Sequence, residues 1–437
     1  MIKPINNNKY FKFFQPKLFY INNDDPVRLL STILEEMDFS NLLQVFPNKT
    51  KVHPVNMFAV IIYAYSQGKY STRDIEFLCR DSQRTQYLLN SLSVPSYSTI
   101  SRFLSKASDI IYELFCQFVE KLFKLSEIPT ETIYIDGTKI EAYANKYSFV
   151  WKTSTLKYKE KLEENILELI DEFNKYTNYL EILGERNSFS KTDKEATFMR
   201  MKEDYMRNGQ LKPGYNLQIG VISKYIASYE IFYNPADTKT LIPFLEKIKS
   251  QNIEIKNVVA DAGYESFPNY EYLEKNNYIS YIKPIYYEKS KTRKYQKNLN
   301  RVENLEYNEK ENRLFRKDGL ELEFQYYGED GKTIYFKNPE TEKIIKYNNE
   351  FRRLSKKSKD NIESDLGKQL RMNRSIQVEG AFAVLKEDMK LRKLKVRGKN
   401  STKREIGLFC IAYNFNKYLA KLSRKKQGVV LHPLKTA

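Results

Sequence analysis

Two aspartates close apolar runs in the same way. Asp136 follows Ile133, Tyr134 and Ile135 in "IYIDG", and Asp261 follows Val258, Val259 and Ala260 in "VVADAG". Short continuous apolar runs read as buried strands, and ligands gather at strand ends in sheets flanked by helices. Two such carboxylates on neighbouring strands repel unless a cation neutralises them. A third acid comes from "RMNRSIQVEGAFAVLKEDM". There Val378, Phe382, Leu385 and Met389 form a buried helical stripe. Glu379 lies at its edge, Lys386 shares its face seven residues on, and Arg374 precedes it by five. This face offers a carboxylate to a metal and cations to a phosphate. Singly, each Asp reads better as a cap or turn residue, and Glu379–Lys386 as an exposed pair. The combination points to metal-assisted chemistry.

Other chemistry is poorly supplied. The chain has two histidines, His53 and His432, and three scattered cysteines, Cys79, Cys116 and Cys410. No CxxC pair, HExxH or His-hydrophobe-His motif occurs, so a zinc ribbon or disulfide framework is not expected. Metal chemistry must rest on carboxylates, which select hard cations such as Mg²⁺ or Mn²⁺. The 437 residues carry 73 Lys+Arg against 55 Asp+Glu, a formal charge of +18. Such an excess suits a polyanionic partner. The opening "MIKPINNNKYFKFF" has no apolar leader, and "MFAVIIYAY" is too short to span a bilayer. The expectation is a cytoplasmic protein with no membrane association.

The elements that must position these residues change texture along the chain. The first third has helical spacing, with caps at Asp25–Pro26 and Ser71–Thr72 and a buried run from Pro54 to Gly68. Its short helices suit either a DNA-reading helix-turn-helix or a packing domain. From Glu131 the order is β, ββ, α, β, α, β, which predicts a mixed sheet flanked by helices. Gly214–Ser223 alternates, with Tyr215, Leu217, Ile219 and Val221 on one side, and Tyr225–Tyr233 is its hairpin partner. Two inserts interrupt this order. Residues 151–210 read as helical, with Leu162, Ile166, Leu169, Phe173, Tyr176, Leu180 and Leu183 as an intramolecular or dimer seam. Residues 286–365 read as a small β-rich insert. Asp237 reads as a helix cap, and Glu265 as a residue of a first helical turn.

Strand-Asp, hairpin, strand-Asp and Glu on a late helix together resemble the ribonuclease H-like core of DDE transposases, specifically bacterial insertion-sequence transposases. The family's C-terminal signature is an Arg, a short gap, Glu, six residues and Lys, here Arg374, Glu379 and Lys386. "IDGTKIEAYANK", "FMRMKEDYMRNGQLKPGYNLQIGV" and "VVADAGYES" are similar to blocks around the first acid, second strand and second acid. The likeness runs over about Asp24–Lys421. Two features depart from it. The Tyr that often precedes the Arg is not at the expected spacing, and the second insert has no Cys-rich patch.

The resemblance implies a helical N-terminal DNA-binding or dimerisation domain at 1–125, a catalytic domain at 126–425 and a tail at 426–437. It implies Asp136, Asp261 and Glu379 as catalytic metal ligands for two Mg²⁺ ions, with Mn²⁺ as substitute. The partners would be terminal inverted repeats and target DNA, held by a homodimer in a synaptic complex in the nucleoid. Arg374 and Lys386 would hold phosphates. Basic stretches at Lys289–Arg301, Arg352–Lys359 and Lys390–Lys399 suit DNA backbone contacts, with Lys390, Arg392, Lys393 and Arg397 in the last. Trp151 reads as ordinary packing ahead of base stacking. A nuclease of the same fold without strand transfer, such as a resolvase, and a non-catalytic DNA-binding derivative remain as alternatives.

Overall fold

The computed structural model describes residues 21–47, 50–90, 93–126, 128–163, 170–201 and 210–425. The 426–437 tail, His432, Ile166 and Leu169 fall outside them. The chain divides into two compact units. The first comprises residues 1–130, 136–235 and 376–431, and the second 131–135, 236–375 and 432–437. No described helix is long and apolar enough to cross a membrane.

The first unit opens with the expected helices. Asp25 accepts from the Val27 N–H at 3.0 Å and caps the Pro26–Glu35 helix, and Ser71 likewise caps Thr72–Asp81. The Pro54–Ser66 helix is buried on every side, as its unbroken apolar run requires. Cys79 and Cys410 are buried free thiols, and Cys116 is half-buried.

Strand β1 (Thr132–Glu141) enters this unit at Asp136. Next come β2 (Phe149–Trp151), β3 (Ser188–Ser190), β4 (Thr197–Arg200), β5 (Leu211–Ile222) and β6 (Tyr225–Phe232). β5 neighbours β1 and pairs antiparallel with β4 and β6. Gly214 permits the approach of β5 to β1, because a Cβ there would lie 2.7 Å from the Ile140 carbonyl oxygen. The alternation along β5 does not separate a wet face from a dry one: Asn216 and Gln218 are as buried as Leu217 and Ile219. Polar side chains survive there by bonding each other and the backbone, with Gln218 donating to Asn216 at 3.0 Å and Asn216 to the Asn234 carbonyl at 3.1 Å.

The first insert is helical only in part. Helices Lys152–Glu163 and Ile170–Leu183 pack on each other, but β3 and β4 occupy its later residues. Val150, Leu183 and Phe189 form its small core, which favours the intramolecular reading of the seam. Trp151 packs near Phe149 and Phe198, at 6.2 and 5.9 Å between centroids.

In the second unit the first residues of β1 run parallel to β7 (Asn257–Ala260), and β7 runs parallel to β8 (Ile279–Ile282). Helix Leu241–Ser250 precedes β7, and helix Phe267–Lys275 connects β7 to β8. The second insert holds five antiparallel strands in sequential order: β9 (Leu305–Asn308), β10 (Arg313–Arg316), β11 (Glu321–Tyr327), β12 (Ile334–Lys337) and β13 (Ile344–Tyr347). Leu314, Leu322, Ile334, Phe336 and Tyr347 are its core. The β-rich part ends at Tyr347, and Asn349–Glu363 is a helix capped by Asn348.

Candidate active site

In the first unit, Asp136 does not end its strand. β1 continues five residues further, to Glu141, because β5 supplies a neighbour that the local sequence does not reveal. Asp136 is 8 % exposed, and the Gly137 N–H donates to its Oδ1 at 2.8 Å. That bond orients a carboxylate within an apolar strand.

Glu379 stands on a helix that is not regular. The Asp365–Arg374 α-helix runs into a π-turn at Ser375–Glu379, an α-turn at Gly380–Ala383 and a second π-turn at Val384–Asp388. The expected stripe is real, since Val378, Phe382, Leu385 and Met389 are all buried. The facing of Glu379 and Lys386 is not given by an α-helical wheel, however, because π-turns widen the helix between them. Glu379 is exposed, while Arg374 and Lys386 are half-buried. Single π-turns concentrate at functional sites in proteins.

The basic segment after this helix is docked on β1. Glu141 bridges to Lys393 in parallel register, and the Leu394 N–H donates to the Glu141 carbonyl at 2.9 Å. Lys393 and Lys212 stand 3.0 and 3.1 Å from the Glu141 carboxylate. Burial opposes its ionisation, yet the two lysines outweigh this and hold its pKa below the usual carboxylate value. Arg397 donates to the Tyr143 carbonyl at 2.9 Å and covers the Tyr143 ring. Arg392 pairs with Glu387. Among the expected DNA contacts, then, Arg392, Lys393 and Arg397 already hold protein partners, and Lys390 is exposed at φ +60°.

In the second unit, Asp261 follows β7 and caps a 3₁₀ turn, its Oδ1 accepting from the Gly263 N–H at 2.8 Å. Asp237, expected as a helix cap, is the first residue of the 3₁₀ turn Asp237–Lys239, and its backbone carbonyl accepts from the Thr240 N–H at 3.0 Å. Its carboxylate stands beside Asp261. A Cβ on Gly263 would lie 3.0 Å from Asp261 Oδ1 and 3.5 Å from Asp237 Oδ2. Sequence reading missed this neighbour, and only a contact between two separate turns reveals it. Glu265 is a different kind of acid. It is 7 % exposed and accepts from the Ile285 N–H at 2.6 Å, the Ser355 hydroxyl at 2.9 Å and the Tyr270 hydroxyl at 3.4 Å. Burial raises its pKa against those donors. Its bonds are structural.

The other basic stretches of this unit are also partly engaged. Arg352 pairs with Glu303, and Arg353 and Lys357 pair with Glu274. Arg301 and Tyr295 line a cavity of about 290 Å³ with Glu303 and Arg352.

Among the described residues, no three His, Cys, Asp or Glu side chains stand close enough to hold a metal ion. Asp136 and Glu379 belong to the first unit and Asp261 to the second. The donors at these positions are all carboxylate oxygens, the set that hard divalent cations take.

Acids stand on or beside strands in each unit, and comparison with known families identifies the class of protein. The model described as "Transposase DDE domain" matches residues 187–415, more than half of the chain, and "Transposase domain (DUF772)" matches residues 18–106. The chain belongs to the DDE-domain transposases, enzymes that cleave DNA and transfer strands. Asp261, Glu379, Arg374 and Lys386 fall inside the first match, and Asp136 lies outside both. A comparison with curated proteins found no match.

Proposed function

We propose that this transposase acts on the terminal inverted repeats of an insertion sequence through a ribonuclease H-like core, with Asp136, Asp261 and Glu379 as its reacting carboxylates. The observation that carries the reading is the parallel register of β1 and β7: Thr132 with Asn257, Ile133 with Val258, and Tyr134 with Val259. Asp136 and Asp261 each follow the last of these pairs by two residues. A hairpin neighbouring the later half of β1, and parallel strands beside its first half, support the same core.

Divalent Mg²⁺, or Mn²⁺ in its place, would be held by the three carboxylates and would supply charge neutralisation and an activated oxygen nucleophile. The protein's own groups position the reactants. The Gly137 and Gly263 N–H groups fix one oxygen each of Asp136 and Asp261. Arg374 and Lys386 flank Glu379 in sequence and would bind phosphate oxygens of the element's end. Two ends must be held for transposition, which favours a homodimeric synaptic complex. The reaction belongs at the nucleoid.

Incubating the protein and Mg²⁺ with linear duplexes carrying the element's ends and a supercoiled plasmid tests the assignment. Ends covalently joined to plasmid are expected. Cut ends without joining would favour the resolvase-like alternative, and binding without cutting the non-catalytic one. Asp237 supplies a second test. Removing its charge beside Asp261 by Asp237→Asn is expected to weaken Mn²⁺ binding to the DNA-free protein by about 10–100-fold, read by calorimetry. Unchanged affinity would mean that Asp237 has no part in holding the cation.

A further inference from the structure

The β5–β6 turn is built against its own conformational preference. Ile222 pairs with Tyr225, leaving a two-residue loop of Ser223 and Lys224 at φ +49° and +70°. Such loops favour Asn and Gly, and a Ser or Lys there holds a left-handed backbone under conformational strain. Three side chains of the same unit hold it. The Lys224 N–H donates to Gln377 Oε1 at 2.9 Å. The Tyr413 hydroxyl donates to the Lys224 carbonyl at 3.0 Å. Lys421 Nζ donates to the Ser223 carbonyl at 2.8 Å and to its hydroxyl at 3.0 Å.

The device gathers positive charge. Lys421 is only 6 % exposed, with its ammonium 4.4 Å from the Tyr225 ring centroid. Lys417, one turn earlier on the Lys399–Ser423 helix, lies 5.2 Å from the Tyr413 ring centroid. Burial lowers the pKa of Lys417, reinforced by Lys224 and Arg424, with Asp388 opposing. Burial, then Lys224 and Lys417, bring Lys421 down to about 8. Among the described residues no carboxylate forms a salt bridge with Lys417 or Lys421. Like charges at a strained turn cost stability that neutral residues would spare. Lys224 and Lys417 remain half-buried and reachable. An anion would offset the repulsion, and Gln377 places the turn two residues from Glu379 on the same π-turn.

We infer that Lys224, Lys417 and Lys421 form a binding site for a DNA backbone phosphate, beside the π-turn that carries Glu379. The inference rests on the transposase reading for its ligand. Neither the family's Arg–Glu–Lys signature nor the basic stretches picked out along the sequence include these residues.

The test uses the full-length protein and a random-sequence 30-base-pair duplex, with affinity measured by fluorescence anisotropy from 50 to 300 mM KCl. Each phosphate contact contributes about 0.9 to the slope of log K against log salt. Lys224→Gln/Lys417→Gln should lower the slope by about 1 and weaken binding at the lowest salt by about 10-fold or more. The exposed Lys249→Gln control should leave both unchanged. Lys421 is spared because it supports the turn, and the double variant should melt no lower than the parent. An unchanged slope in a double variant with the parent's melting midpoint overturns the site while leaving the transposase reading intact. A parent protein that binds no DNA overturns both. Competition by inorganic phosphate as effective as competition by DNA, at equal phosphate concentration, overturns the assignment to a nucleic-acid backbone.

Discussion

Asp136→Asn is expected to bind DNA as the parent does and to cut it at least about 10³-fold more slowly, the scale set by losing a preorganised electrostatic group. The substitution keeps volume and shape. The Gly137 N–H still finds an oxygen to donate to, so β1 should fold unchanged. What is lost is a negative charge in a position 8 % exposed, where little water can replace it. Asp261→Asn and Glu379→Gln should behave alike, because each removes one of the three charges while keeping the side chain's size and shape. Nicking of an element-bearing plasmid in Mg²⁺ buffer and anisotropy on the same protein samples separate catalysis from binding. Parent-like cleavage by any of the three would remove that residue from the site. Loss of binding along with cleavage would point to a folding role instead.

Gly407→Val should have the largest effect on stability. Gly407 lies in the buried middle of the Lys399–Ser423 helix, which packs on β6 and on the Ile111–Leu125 helix. A Cβ there would overlap the Tyr229 hydroxyl and stand 3.0 Å from Ile111 Cγ2. Tyr229 cannot easily withdraw, since it is fully buried and donates to the Lys403 carbonyl at 3.1 Å. Its ring also meets Phe115 edge-on at 5.0 Å. Overpacking of this kind costs on the order of 3 kcal/mol, and two β-methyls leave no rotamer that avoids it. A fall in melting midpoint on the order of 5 °C or more is expected. Gly380→Ala, where nothing lies within 4 Å of an added Cβ, should melt at or above the parent. Equal midpoints for Gly407→Val and the parent would show that this interface yields more readily than its packing implies.

Much of this molecule is legible in its sequence because the signals are local. Apolar runs of three residues marked β1 and β7, and alternation with a tight turn marked the β5–β6 hairpin. A 4-3-4 stripe located the helix of Glu379, and oxygen-only donors restricted the metal to hard cations. Each inference needs only neighbours along the chain.

The tertiary structure decided what depends on distant residues. β1 runs past Asp136 because β5 pairs with it, and β5 hides Asn216 and Gln218 because their polar groups satisfy one another. Asp237 stands beside Asp261, a neighbour that only the contact of two separate turns supplies. The basic segment at Lys390–Lys399 read as suited to DNA backbone contacts, and only the fold shows Glu141, Glu387 and Tyr143 meeting Lys393, Arg392 and Arg397. Conversely, Lys224, Lys417 and Lys421 carried no sequence signal, being nearly two hundred residues apart across the hairpin and the last helix. Charge is countable from a sequence, but its partner is not: whether a lysine meets a carboxylate of its own chain or a phosphate of another molecule is set by how the chain folds back on itself.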